Sequence, residues 1–382
     1  MNLIAGPTMR VPFYNIKAQY EELSSQLDQV VHEVISGGAY VMGPHHKKFE
    51  EEMAKYQGVK HAIAVNSGTD ALRISYDAAG FGPGDEVITT AFTFVASVET
   101  IVQTGATPVF VDIDETTFQM DPAKLEAAIT PRTRGIVPIH LFGQMCDMER
   151  IMAIAAKHNL VVVEDAAQAI GATRNGKYAG SYGVAAGLSF YVTKNLGAAG
   201  DGGMIITNSD EIAEKCRSIR VHGMGRERYY YDYLGYTSRL DEIQAAIMAV
   251  KLTKLNEWNQ RRAKLAAVYQ DLLREADVVT PQLLEGNTTT WHQYTIRTSR
   301  RDELQAHLKE SGIDSMIYYP VPIHYHEPYK RFAKGQGSLP VTEKVSLECL
   351  SLPIHQHLTV EEVTYVANMV KALLPKSAAA AR

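Results

Sequence analysis

Residues 160–172 read LVVVEDAAQAIGA. Four aliphatic residues in a row, closed by Glu164 and Asp165 and then by small residues, describe a strand buried on both faces that ends at a turn. The same texture recurs upstream in HAIAV (61–65), EVITT (86–90), PVFVDI (108–113) and RGIVPIH (134–140). Stretches with helical spacing separate these runs: a segment from Ala71, then VASVETIVQ (95–103), PAKLEAAI (122–129) and DMERIMAIAAKH (147–158). Near-continuous apolar strands alternating with amphipathic helices predict an α/β chain whose large domain holds a mainly parallel sheet between helices. Ligands of such sheets sit at the carboxyl ends of the strands, so the residues just beyond each run carry the interest.

Further along, residues 241 to about 267 form one long helical stretch, and then the pattern changes. WHQYTIRTS (291–299) reads as a strand and RDELQAHLKESG (301–312) as a helix. DSMIYYPVPIHYHEPY (314–329) reads as a strand running into a loop rich in Pro and His. A last helix begins at Thr359, where Thr-Val-Glu-Glu is a capping start. This organisation divides the chain into a large domain over residues 1–255 and a smaller C-terminal α+β domain over 256–382. The tail KSAAAAR (376–382) reads as a frayed end.

The bulk numbers exclude several classes. With 382 residues, 46% hydrophobic and 21% charged, the chain has the balance of a globular protein with a large core. A net charge of -5 gives no reason to expect nucleic acid or an anionic membrane as a partner. Cys146, Cys216 and Cys349 lie far apart without CxxC spacing, which fits a reducing, cytoplasmic setting. The start, MNLIAGPTMRVPFYN, lacks the pattern of a signal peptide, and no apolar run is long enough to span a membrane. His324, His326, His355 and His357 make two H-x-H pairs, but neither has a Cys or nearby carboxylate as third ligand, so no metal site is expected. RERYYYDYLGY (226–236) mixes basic and aromatic residues; in an acidic chain it reads as an interface or active-site loop rather than a nucleic-acid contact.

Three segments carry chemistry. In NSGTDAL (66–72) a strand gives way to a helix through small residues. Such a turn offers backbone N–H groups to a phosphate, with room at Gly68 and a hydroxyl from Thr69. In VVVEDAAQ (161–168) a carboxylate ends a buried strand, where a protonated pyridine nitrogen would give Asp165 the charged partner it needs. Gln168, one turn later, can hydrogen-bond a phenolic oxygen of the same ring. In LSFYVTKNLGAAGDGGMII (188–206) Lys194 sits in a loop between apolar runs, where desolvation makes an amine nucleophilic. Ser189 adds a phosphate contact, and the glycines at 197–203 give the backbone room to turn. Each segment alone also has a plain reading, as a helix cap or a surface lysine. Together, in this order along a parallel sheet, they converge on one cofactor.

NSGTDAL, GDEVITTAFTFVAS, VEDAAQAIGA, SFYVTKNLGAAGDGG and RLDEIQAAI resemble the DegT-type nucleotide-sugar aminotransferases, a branch of the fold-type-I pyridoxal-phosphate enzymes, along most of the chain. The resemblance implies pyridoxal 5'-phosphate as cofactor, with pyridoxamine phosphate as its amino-bearing form. It implies Lys194 as the lysine holding the cofactor in a Schiff base, Asp165 at the pyridine nitrogen and Gln168 at the phenolic oxygen. Gly68, Thr69 and Ser189 fall at the phosphate, and Phe94 at the pyridine face; on physical grounds alone Phe92 or Phe94 suits that face, and either suits the core. Val192 stands where the family has Pro, which alters loop stiffness. Thr237 stands where the family has an Asn reaching the phosphate of the neighbouring subunit. SGGAYVMGP (36–44) and YYPVPIHYHEPY (318–329) resemble loops near the active site, which makes Tyr40, Tyr319 and His324 candidates for substrate contact, alongside a packing role for each.

The implied reaction moves an amino group from an amino acid, by analogy L-glutamate, to a nucleoside-diphosphate-linked keto sugar, with the segment from RVHG to DEIQAAI (220–247) most resembling members acting at C3. A homodimer with active sites at the subunit interface is expected. Two other readings belong to the same fold: a non-catalytic, sugar-nucleotide-sensing regulator, and a pyridoxal-phosphate sugar dehydratase. A retained Lys194 speaks against both, since a sensor has no use for it and the dehydratases replace it.

Overall fold

The computed structural model describes residues 9–376. The first residues of the chain and nearly all of the alanine-rich tail lie outside the described residues. Two helices precede the first strand, α1 (Ile16–Gly37) and α2 (Pro44–Gln57). Asn15 caps α1 by accepting the Ala18 N–H, and Pro44 opens α2 where no N–H donor is needed. Then come β1 (His61–Val65), α3 (Gly68–Ala79), β2 (Glu86–Thr90), α4 (Ala96–Gln103), β3 (Thr107–Val111), β4 (Thr133–Ile136), α5 (Met148–Lys157) and β5 (Val161–Asp165). Two short strands follow, β6 (Thr173–Arg174) and β7 (Lys177–Tyr178), then β8 (Ala185–Ser189), β9 (Gly203–Thr207), α6 (Asp210–Ile219), α7 (Glu242–Leu252) and α8 (Leu255–Leu272). The remainder is β10 (Asn287–Thr288), β11 (Tyr294–Arg297), α9 (Arg301–Glu310), α10 (Pro340–Glu348), β12 (Cys349–Leu352) and α11 (Val360–Leu373).

The main sheet runs β1-β9-β8-β5-β4-β2-β3. β3, β2, β4, β5 and β8 pair in parallel, and β9 alone runs against its neighbours β8 and β1. All five residues of β2 are buried, as are Val162 to Asp165, because helices cover both faces. The α/β architecture and the mainly parallel sheet are therefore those the sequence pattern predicts. The carboxyl ends of the parallel strands share one edge, and that edge carries the site.

Three segments fold differently from their pattern. PAKLEAAI makes two single 3₁₀ turns, Pro122–Lys124 and Glu126–Ala128. The run is short and stops at Thr130, which Pro131 steers away from helical backbone. The long helix predicted from residue 241 is two helices, because at Thr253 the hydroxyl turns back onto the Val250 carbonyl at 2.7 Å. The 314–329 segment holds no strand: Met316 makes an isolated bridge to Ser351, and Pro320 and Pro322 then lack the N–H groups a ladder requires. At Thr359 the predicted cap is complete, with Glu362 returning a bond to the Thr359 N–H.

A second hydrophobic core gathers residues from Leu265 to Leu374 around the β11–β12 pair. Val11 joins it from the far end of the chain, bridging to Ile313. Among the described residues, no helix is long and apolar enough to cross a membrane.

Candidate active site

The last residues of β5 and β8, with the segments that follow β1, β2 and β4, line one cavity of about 590 Å³. Gly68, Thr69, Phe94, Asp165, Gln168, Ser189, Lys194 and Tyr319, all singled out from sequence, line it together.

The two acids at the end of β5 point to opposite faces, as alternation along a strand requires. Glu164 is fully buried beneath the sheet edge, where it accepts N–H groups from Gly180, Tyr182 and Gly183 and bonds His140 Nε2 at 2.9 Å. Asp165 faces the cavity. Its Oδ2 accepts the Ser97 hydroxyl at 2.6 Å and its Oδ1 accepts the Ala167 N–H at 3.1 Å. Burial raises the Asp165 carboxyl above its ordinary range, while these two donors and the Lys194 charge pull the other way.

Lys194 lies in the loop that joins β8 to β9. Burial pushes its amine down to about 8, with the Asp165 carboxylate opposing. The loop is held from outside by α7: the Gln244 amide bonds both the N–H and the carbonyl of Ala199, at 2.8 and 3.1 Å, and Lys251 Nζ donates to the Gly197 carbonyl at 2.7 Å. Gly197 itself is required by space, since a β-carbon there would meet the Val192 carbonyl oxygen at 2.4 Å.

At the other wall, Ser67 caps α3 by accepting the Asp70 N–H at 3.1 Å. The first-turn N–H groups at Gly68 and Thr69 have no intrahelical carbonyl to bond. Gln168 Oε1 accepts the Phe142 N–H at 2.8 Å, which turns Nε2 toward the Tyr319 hydroxyl at 3.2 Å and leaves one N–H to spare. Phe92 and Phe94 part company: Phe92 is buried among Phe118 and Phe142, whereas Phe94 is 54% exposed on the cavity wall.

The structure also brings in residues that sequence reasoning passed over: Ser97, His140, His292 and Tyr14. His292 is buried and its Nδ1 lies 3.1 Å from Asn195 Oδ1. Because the Asn195 amide nitrogen donates to Asn259 Oδ1 and the Thr290 carbonyl, its oxygen faces the ring, so Nδ1 carries the proton. Burial, reinforced by the charges of Lys194 and Arg262, holds His292 neutral well below the ordinary histidine range. Tyr14 reaches the rim from the N-terminal segment and bonds the Tyr318 hydroxyl at 3.0 Å. Ser97 lies in the first turn of α4, and nothing in the local pattern marks it or Tyr14.

Three candidates lie off the cavity wall. Tyr40 is exposed and donates its hydroxyl to the Ile35 carbonyl. His324 is buried with Nε2 3.3 Å from Glu343, packed between Phe110 and Tyr325. Thr237 is exposed and bonds His222 Nε2 at 3.1 Å.

Known proteins share this fold. A pleiotropic regulatory protein of Geobacillus stearothermophilus is 53% identical over 95% of this chain and 98% of its own length. A dTDP-3-amino-3,4,6-trideoxy-alpha-D-glucose transaminase of Streptomyces venezuelae is 43% identical over 95% of this chain and 96% of its own. Among solved structures, S. venezuelae DesV in complex with a ketimine intermediate superposes with a TM-score of 0.94 at 43% identity, covering 97% of this chain and 100% of that one. NtdA of Bacillus subtilis with bound cofactor PMP gives 0.89 at 32% identity, covering 97% and 86%. The sequence profile of the DegT/DnrJ/EryC1/StrS aminotransferase family matches residues 21–371, and the chain belongs to that family.

Proposed function

We propose that this protein is a cytoplasmic, pyridoxal-phosphate-dependent aminotransferase that moves an amino group from L-glutamate to C3 of a keto sugar linked to a nucleoside diphosphate, working as a homodimer. The observation that carries the reading is that Lys194 and Asp165 line one cavity, with a bare helix start at Gly68 beside them. The residues fit the cofactor. A β-carbon on residue 68 would collide with Ser189, so the helix start is kept clear for a phosphate. Asp165 is a buried carboxylate bonded to a hydroxyl and an N–H, with acceptor capacity left for a ring N–H. The pyridine ring, when bound, supplies the electron sink for breaking the bond at the donor's α-carbon.

The chain's own groups do the rest. With its amine lowered to about 8, roughly a tenth of Lys194 is uncharged at pH 7. That neutral Nζ takes the proton from the donor's α-carbon and returns one at the acceptor carbon. Asp165 holds the ring nitrogen's proton in place. Gln168 Nε2 would donate to the ring's phenolic oxygen, Ser189 and Thr69 would bond the phosphate, and Phe94 would cover the ring face. Thr237 lies outside its own cavity, which suits a contact with the phosphate of a neighbouring subunit. The 3-amino sugar in the name of the Streptomyces relative supports C3 as the position.

The name of the Geobacillus relative favours a regulatory reading. One experiment separates the two. The purified protein, given L-glutamate, is expected to convert its bound cofactor to pyridoxamine phosphate, seen by chromatography of the released cofactor. A panel of nucleotide-linked amino sugars run in reverse then reports sugar and nucleotide. Protein that binds the cofactor but never aminates it is a sensor, not a transferase.

A further inference from the structure

Behind Asp165 lies a string of two hydroxyls. Ser97 Oγ is 2.6 Å from Asp165 Oδ2, and Thr93 Oγ1 is 2.9 Å from Ser97 Oγ. All three residues are buried, Thr93 at 1%, Ser97 at 2% and Asp165 at 4% exposure. An ionised carboxylate only accepts hydrogen bonds, so the Ser97 proton points at Asp165. The Ser97 oxygen is then free to accept, and Thr93 donates to it. A donor aligned on an anion makes a bond about twice as strong as a neutral one, and a second hydroxyl feeding it strengthens it further. Oδ1 is meanwhile engaged by the Ala167 N–H at 3.1 Å. The carboxylate is thus gripped at both oxygens, with its rotation fixed.

We propose that Ser97, backed by Thr93, is a positioning residue that keeps Asp165 an anion and aims its remaining lone pairs at the cofactor's ring nitrogen; this rests on the aminotransferase reading above. Other groups bearing on Asp165 do not replace it. His140, whose Nε2 engages Glu164, and Lys194 favour the anion through their charge alone, without a hydrogen bond that orients it, and Tyr76 and Tyr319 are neutral phenols whose nearness favours no anion. Ser97 is the one side chain hydrogen-bonded to the carboxylate among the described residues.

Removing the hydroxyl makes Asp165 a stronger base and a looser one. The proton shared with the ring nitrogen then shifts toward the carboxylate. The test is nitrogen-15 NMR of holoprotein reconstituted with ring-labelled pyridoxal phosphate, in wild type, Ser97→Ala, Ser97→Thr, Thr93→Val and Asp165→Asn. Wild type and Ser97→Thr are expected to show a protonated ring nitrogen. Ser97→Ala is expected to move the resonance toward the unprotonated position and to weaken cofactor binding on the order of ten-fold, read by equilibrium dialysis. Thr93→Val should move it the same way by less, and it decides the matter should Ser97→Ala not fold. A wild-type resonance in both Ser97→Ala and Thr93→Val overturns the proposal. Asp165→Asn separates the two levels: if it too leaves the ring nitrogen protonated, the placement of Asp165 fails and Ser97 falls with it.

Discussion

A β-carbon built on Gly68 would stand 2.6 Å from the Ser189 β-carbon and 3.1 Å from its α-carbon. The start of α3 and the end of β8 are pressed together at that point, so the phosphate side of the cavity tolerates no side chain at 68. Gly68→Ala is expected to cost about 2 kcal/mol of stability and to weaken cofactor binding at least ten-fold. Urea unfolding of the cofactor-free protein, with dialysis for the affinity, checks both; unaltered affinity would place the phosphate elsewhere.

Glu164 and Asp165 are neighbours with separate duties, and substitution should divide them. Glu164→Gln sets an amide N–H against backbone donors and is expected to cost about 3 kcal/mol, with turnover per folded molecule retained. Asp165→Ala is expected to keep some cofactor binding and lose turnover by about 100-fold or more. Denaturant midpoints and single-turnover rates measured on the same preparations read the contrast.

Lys194 leaves a signature in the pH dependence of the cofactor-free protein. Its folded value, about 8, lies below the ordinary 10.5. Between those two values the unfolded chain binds the extra proton, so stability rises with pH across that window. Lys251, lowered to about 8 by burial, adds a rise of the same sign. Lys194→Met should abolish turnover, raise neutral-pH stability on the order of 2 kcal/mol, and flatten part of the rise. A curve that stays as steep in the double variant with Lys251→Met would remove both amines from the account.

Asn195 fixes the His292 tautomer through a bond at 3.1 Å. Asn195→Ala is expected to cost about 2 kcal/mol, since it strands the Thr290 carbonyl and the His292 Nδ1–H in a buried site. Histidine NMR should show the His292 tautomer no longer unique; a sharp, unaltered Nδ1–H signal counts against the assignment.

The strand ends were the most legible part of the sequence. HAIAV and EVITT match β1 and β2 residue for residue, because a strand buried on both faces writes its own apolar run. The residues after those runs converge in space because parallel strands finish at one edge. That geometry is why Gly68, Asp165 and Lys194 could be picked out together. What escaped was set by partners distant in sequence. Glu242, on α7, caps the start of α2 by accepting the Gly43 N–H at 2.7 Å, and no local pattern around residue 43 announces it. Ser97 has the sequence context of any first-turn serine; its meaning comes from β5, 68 residues away. His324 drew notice for its Pro-rich setting, yet its loop turns it inward onto Glu343.

The bridge from Val11 to Ile313 bears on how this protein can be dissected. An excised piece spanning 256–376 would expose the apolar seam that Val11 covers and should clump in solution. Splicing residues 9–14 back through a short tether would return the missing lid. A rearranged chain that begins near 256 and runs through such a splice into the large sheet is accordingly the cut most apt to survive.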